Sequence, residues 1–145
     1  MAIESDTIKL LRECSAGIEM GVSSIDEVSD YISDKNFKRL LNECRVEHNK
    51  LKEETDKLLK NYHDTAKEPN PMAKGMSWLK TNAMLIVNNS DKTIAGLITD
   101  GCNMGIKSLN RYLNQYEAAE EKVKDITKRL INLEERLTVN IRKYL

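Results

Sequence analysis

His48 interrupts an otherwise apolar run of side chains at helical spacing: Phe37, Leu40, Leu41, Cys44, Leu51, Thr55, Leu58, Leu59 and Tyr62. A stripe of that period must face an interior, and the imidazole is its one titratable interruption. Cys44 lies one turn before it, and with Cys14 and Cys102 the chain has the ligand types of a zinc site. The competing reading is a core histidine satisfied by hydrogen bonds. The cysteines are odd in number, show no CxxC spacing and each falls on an apolar stripe. That pattern describes buried thiols acting as small hydrophobes rather than a disulfide framework.

No other residues assemble a catalytic pattern. There is no glycine-rich phosphate loop, no nucleophile elbow and no Cys/His pair with catalytic spacing. His63 falls at a helix end, where it interacts with the last carbonyls. Glu43 and Glu47 flank the stripe as solvated or paired carboxylates. Glu117, Glu120, Glu121, Lys122 and Lys124 form a mixed, solvated charge run. Trp78 with Met72, Met76 and Met84 reads as packing, although methionine-rich surfaces also grip partner helices.

Charge and composition exclude further classes. Lys+Arg 23 against Asp+Glu 23 leaves no net charge and no basic run, so a nucleic-acid partner is not expected. The amino terminus has no cationic and apolar signal region. The longest apolar run, Ala83 to Val87, is far short of the ~20 residues a membrane span needs. A soluble, cytoplasmic protein without membrane association is expected. With only 6 Gly and 2 Pro in 145 residues, few loops are available and the composition is that of a single all-α domain.

The pattern divides the chain into helices. Ser5 or Asp6 caps a first helix whose buried face is Ile8, Leu11, Cys14, Ile18, Val22, Ile25, Val28 and Ile32. The predicted span is 6–33. A short polar turn, Asp34 to Asn36, makes the second helix, 35–63, run back antiparallel. Residue x of the first then lies level with about 68 minus x of the second, which sets Glu19 opposite His48. The same register puts Cys14 ten residues from Cys44, or roughly 15 Å along the axis, and so argues against zinc. Pro71 opens a short helix over 71–88. The next, from 91 to about 120, carries Ile94, Leu97, Ile98, Cys102, Gly105, Ile106, Leu109, Tyr112, Leu113 and Tyr116. Its stripe continues through Ala119, Val123, Ile126, Leu130, Leu133, Leu137, Ile141 and Tyr144 without Gly or Pro. A turn between Glu120 and Asp125, with Asp125 as cap, gives a last helix over about 125–144. A single uninterrupted helix is the alternative and implies an extended or domain-swapped dimer.

Cys14-Ser-Ala-Gly17-Ile18-Glu19 recurs as Cys102-Asn-Met-Gly105-Ile106-Lys107. Glycine costs a helix ~1 kcal/mol against alanine, so its presence at both places implies close helix approach and two pseudo-equivalent hairpins. In these motifs the chain resembles the ferritin-like superfamily, especially its small bacterial branches of unknown function. Their first and third helices look like Cys-x-x-Gly-x-Glu, and their second carries a histidine after an acidic cluster. The resemblance covers nearly the whole chain in helix count, order and the long second-to-third link. It implies a four-helix bundle in which residues 71–88 form a crossover helix and the third helix runs parallel to the second.

Members with a two-iron site use a Glu, a Glu-x-x-His, a second Glu and a second Glu-x-x-His from successive helices. The resemblance carries these onto Glu19, Arg45 with His48, Lys107, and Glu135 with Thr138. Glu19, His48 and Glu135 keep ligand types, whereas Arg45 and Lys107 bring cations that repel metal. The expectation is a degenerate di-iron site in which Glu19, Arg45, His48, Lys107 and Glu135 form a buried charge network. No cofactor is then expected. The alternative is an altered site holding iron or another divalent metal through Glu19, His48 and Glu135. The function expected is non-catalytic: a bundle acting by self-assembly, most simply as a homodimer, or by binding a protein partner.

Overall fold

A computed structural model of the chain describes residues 2–62 and 90–145. Four long helices make up these residues: α1 (Ala2–Ser29), α2 (Lys35–Asn61), α3 (Ser90–Gln115) and α4 (Glu121–Asn140), followed by a 3-10 turn at Arg142–Tyr144. No strand occurs among the described residues. No helix among them is long and apolar enough to cross a membrane. The predicted crossover helix at 71–88, His63, Trp78, Met72, Met76 and Met84 lie outside the described residues.

Caps and turns explain the helix bounds. Asp34 caps α2 by accepting from the amides of Asn36 at 2.8 Å and Phe37 at 2.9 Å. The bond from Phe37 leads the causes that hold its carboxyl below the ordinary aspartate range. The α1–α2 turn closes earlier than predicted, because α1 stops at Ser29. Its free amides at Ser33 and Asp34 are bound at 2.8 and 2.9 Å by the two carboxylate oxygens of Asp91, in the first turn of α3. At the opposite end neither Ser5 nor Asp6 caps α1, which already starts at Ala2. Asp6 accepts from the Ala118 amide at 3.1 Å and Thr7 from the Glu120 amide at 2.9 Å. These bonds stop α3 and start α4.

The continuous-helix alternative is therefore overturned, and the predicted turn between Glu120 and Asp125 sits one helical turn too late. Glu120 begins α4 with no side-chain cap bond of its own. Asp125, inside α4, instead pairs with Arg129 at 3.0 Å. A residue distant in sequence supplies the stop that local propensity lacks.

These end contacts also give the helix directions. Asp91 places the start of α3 beside the α1–α2 turn, while Asp6 and Thr7 place the α3–α4 turn beside the start of α1. The Tyr62 hydroxyl bonds to Glu120 at that second end. Tyr144 returns to the first, stacking on Phe37 with 4.5 Å between centroids. Hence α2 and α3 run parallel, and Tyr62 and Ser90 stand at opposite ends of the bundle. The helices pack chiefly as the hairpins α1–α2 and α3–α4, with α4 also against α2 and α1.

The core is the set of apolar stripes. Leu10, Leu11, Cys14, Ile18, Ile25 and Val28 of α1 meet Phe37, Leu41, Leu51 and Leu59 of α2. Ile94, Ala95, Ile98 and Leu109 of α3 and Val123, Ile126, Leu130, Leu133 and Leu137 of α4 complete it. Fully burying each large aliphatic side chain contributes ~1.5–3 kcal/mol, so this continuous interior dominates the stability. Thr127 and Thr55 enter it by donating to their own helix, to Val123 and Leu51 carbonyls. The outer α2–α4 seam carries ion pairs, among them the two-bond Arg129–Glu54 contact at 2.9 Å and Arg136–Glu47 at 3.3 Å.

Candidate functional site

His48 lies at mid-helix with 1% of its surface exposed. Its Nδ1 stands 2.8 Å from the Cys44 carbonyl oxygen, one turn earlier on α2. A carbonyl only accepts, so Nδ1 carries a proton. On the other side Nε2 lies 2.6 Å from Oε1 of Glu134 on α4, whose side chain is 13% exposed. One further proton must lie in that short contact. Burial by itself lowers the His48 pKa, but hydrogen bonds to Cys44 and Glu134 and the Glu134 charge outweigh it and raise the value to about 10. At neutral pH the imidazolium form of His48 is therefore favoured.

Gly21 of α1 makes room for this ring. A Cβ at position 21 would stand 2.9 Å from His48 Nε2, closer than real contacts allow, so α1 can pass over the imidazole only with glycine there. The contact lies one residue from the predicted α1–α2 register. The repeat glycines do something else. A Cβ at Gly17 would meet only Leu130 at 3.9 Å and one at Gly105 only Glu134 Oε2 at 3.9 Å. Close helix approach therefore does not explain the repeat.

What Gly17 and Gly105 do line is a cavity of about 380 Å³ between α1 and α3. Ala16, Gly21 and Ser24 face it from α1, Gly101 and Ser108 from α3, and the His48–Glu134 pair forms its polar floor with Leu130 and Leu137 of α4. Glu13 and Arg111 also line it. Cys102 sits on its wall, where burial first and the neighbouring Glu134 carboxylate next push the thiol pKa up. Cys14 is also raised, to about 12 by burial, and bonds Thr127 at 3.1 Å. All three cysteines are free and buried, so none is an activated nucleophile.

The predicted charge network does not assemble. Glu19 pairs with Lys52 on α2 at 2.8 Å, and Arg45 with Asp26 on α1 at 2.7 Å, both at partly exposed positions. Lys107 and Glu135 are exposed, and Thr138 donates to the Glu135 carbonyl at 2.6 Å. Of the five expected members only His48 is buried, and its partner is Glu134. Glu134 precedes the expected Glu135 by one residue, and one residue turns a helical side chain by about 100°, so Glu135 faces solvent while Glu134 meets His48. The residues do not fit the metal pair that the resemblance implies. Among the described residues no group of three or more His, Cys, Asp or Glu is placed to hold a metal ion.

Glu134 was legible in principle. It stands four residues after Leu130 and three before Leu137, so it interrupts the α4 stripe as His48 interrupts that of α2. Two complementary titratable groups on two apolar stripes are a pairing signal. No family model, curated protein or solved structure matches the chain.

Proposed function

We propose that this chain is a non-catalytic helical bundle that binds an apolar small molecule between α1 and α3, built on a ferritin-like plan without the two-metal site. The cavity carries this reading. Its volume of about 380 Å³ falls in the ~300–1,000 Å³ range of ligand sites, which combine apolar walls with a few convergent polar groups. Its glycines cost helix stability, ~1 kcal/mol each against alanine, and Gly101 meets no neighbour that would require it. The ferritin-like plan is supported by parallel α2 and α3, with Tyr62 and Ser90 at opposite ends of the bundle.

Native mass spectrometry of protein purified gently without chelator tests the reading. The expected result is a bound organic molecule that is lost from Gly101→Leu, whose side chain would fill the cavity. Stoichiometric divalent metal without an organic ligand would instead favour the altered-metal alternative. The same spectra read assembly, for which a homodimer is the expectation from sequence.

A further inference from the structure

We infer that the occupant of the α1–α3 cavity is an uncharged apolar molecule bearing a hydroxyl, which donates its hydrogen to Glu134; the inference rests on the cavity being a binding site. The floor has its charge already balanced. His48 Nδ1 donates to the Cys44 carbonyl, and a single proton occupies the 2.6 Å contact between Nε2 and Glu134 Oε1. Whichever atom carries that proton, the pair sums to zero. The other two charged groups lining the cavity, Glu13 and Arg111, carry opposite formal charges, so the lining as a whole has no net charge. An ionised ligand would therefore bring a buried charge with no counterpart, which is costly. A polar contact is still on offer. Glu134 Oε1 is engaged by His48 and the carboxylate also accepts from the Cys102 thiol, while Oε2 lies 3.9 Å from the place of a Gly105 Cβ, on the cavity wall. A carboxylate oxygen accepts more than one hydrogen bond, so this wall selects a donor, and charge balance selects a neutral one.

Calorimetric titration of the full chain with 1-octanol, heptyl methyl ether, octanoate and octylammonium tests this. Octanol is expected to bind at least tenfold more tightly than either ion and several-fold more tightly than the ether, which has no donor. An ion or the ether binding as tightly as octanol overturns the inference while leaving the cavity as a binding site. Binding by none of the four overturns both. Gly101→Leu should melt no lower than the parent and lose octanol binding; unchanged octanol binding in it would place the site elsewhere and overturn the inference. Should that variant not fold, the ring N–H resonance of His48 in the parent protein decides. It must shift on adding octanol, and an unmoved signal overturns the inference.

Discussion

With Nδ1 on the Cys44 carbonyl and Nε2 on Glu134, the His48 ring has no freedom to rotate, and Gly21 passes directly over it. Gly21→Ala should push the ring off Glu134 and lower stability by ~2 kcal/mol in urea unfolding, despite the helix-propensity gain of ~1 kcal/mol. Gly101→Ala, with open space beside it, should gain ~0.5–1 kcal/mol. Equal effects at the two glycines would refute the close-approach argument. His48→Leu alone leaves Glu134 without its partner and should cost on the order of 3 kcal/mol, whereas adding Glu134→Leu should recover at least half. The pH profile follows from the raised His48 value of about 10. Because the folded state binds this proton more tightly than the unfolded chain, the stabilisation is complete below about pH 6.5. It is lost as the pH climbs through about 10. The difference between parent and His48→Leu unfolding free energies should shrink over that window; a difference that grows would reverse the assignment. Lys107→Ala and Glu135→Ala, at exposed positions, should each change stability by under ~0.5 kcal/mol.

At the scale of the helices, each end of the bundle is tied by a side chain from another helix. Asp91 accepts from both turn amides at Ser33 and Asp34, and Thr7, fully buried, accepts from Glu120. Asp91→Ala should cost ~1–2 kcal/mol and speed hydrogen exchange at Ser33 and Asp34. Thr7→Ala should cost ~1 kcal/mol and speed exchange at Glu120, leaving the Asp91 end unchanged. Exchange that rises equally at both ends would mean global destabilisation rather than loss of a local tie. Both turns needed these distant acceptors because neither carries Gly or Pro, the residues that ordinarily stop a helix from within.

Across the whole molecule, α2 and α3 run parallel while α1–α2 and α3–α4 pair as hairpins, and α4 seals the centre against α1 and α2. That arrangement brings Glu134 to His48 but keeps Glu19 and Glu135 on outer faces, so the described carboxylates never converge. Adding iron, manganese or zinc, or removing metal with chelator, should accordingly leave the unfolding temperature unchanged. A ligand that binds only the folded state would raise stability by ~2.7 kcal/mol at a hundred times its dissociation constant. A calorimetric shift of that size with metal would disprove the assignment.

The apolar period by itself determined that the described residues are helical and that Phe37 to Tyr62 buries one face with His48 on it, and the short polar link before Phe37 determined that the first two helices form an antiparallel hairpin. Those conclusions follow from local spacing, since a stripe of period 3.6 has one way to leave water. Tertiary structure decided the rest. The α3–α4 turn lies at 116–120 because Asp6 and Thr7 bind its amides across the bundle, which no local signal encodes. Glu134 rather than Glu135 meets His48 because helix rotation is set by how Leu130, Leu133 and Leu137 pack, and one residue of register exchanges core for solvent. The glycines of the repeat surround a cavity rather than a tight crossing, since whether missing side chains bring two helices together or leave space depends on the separation that all four stripes settle jointly.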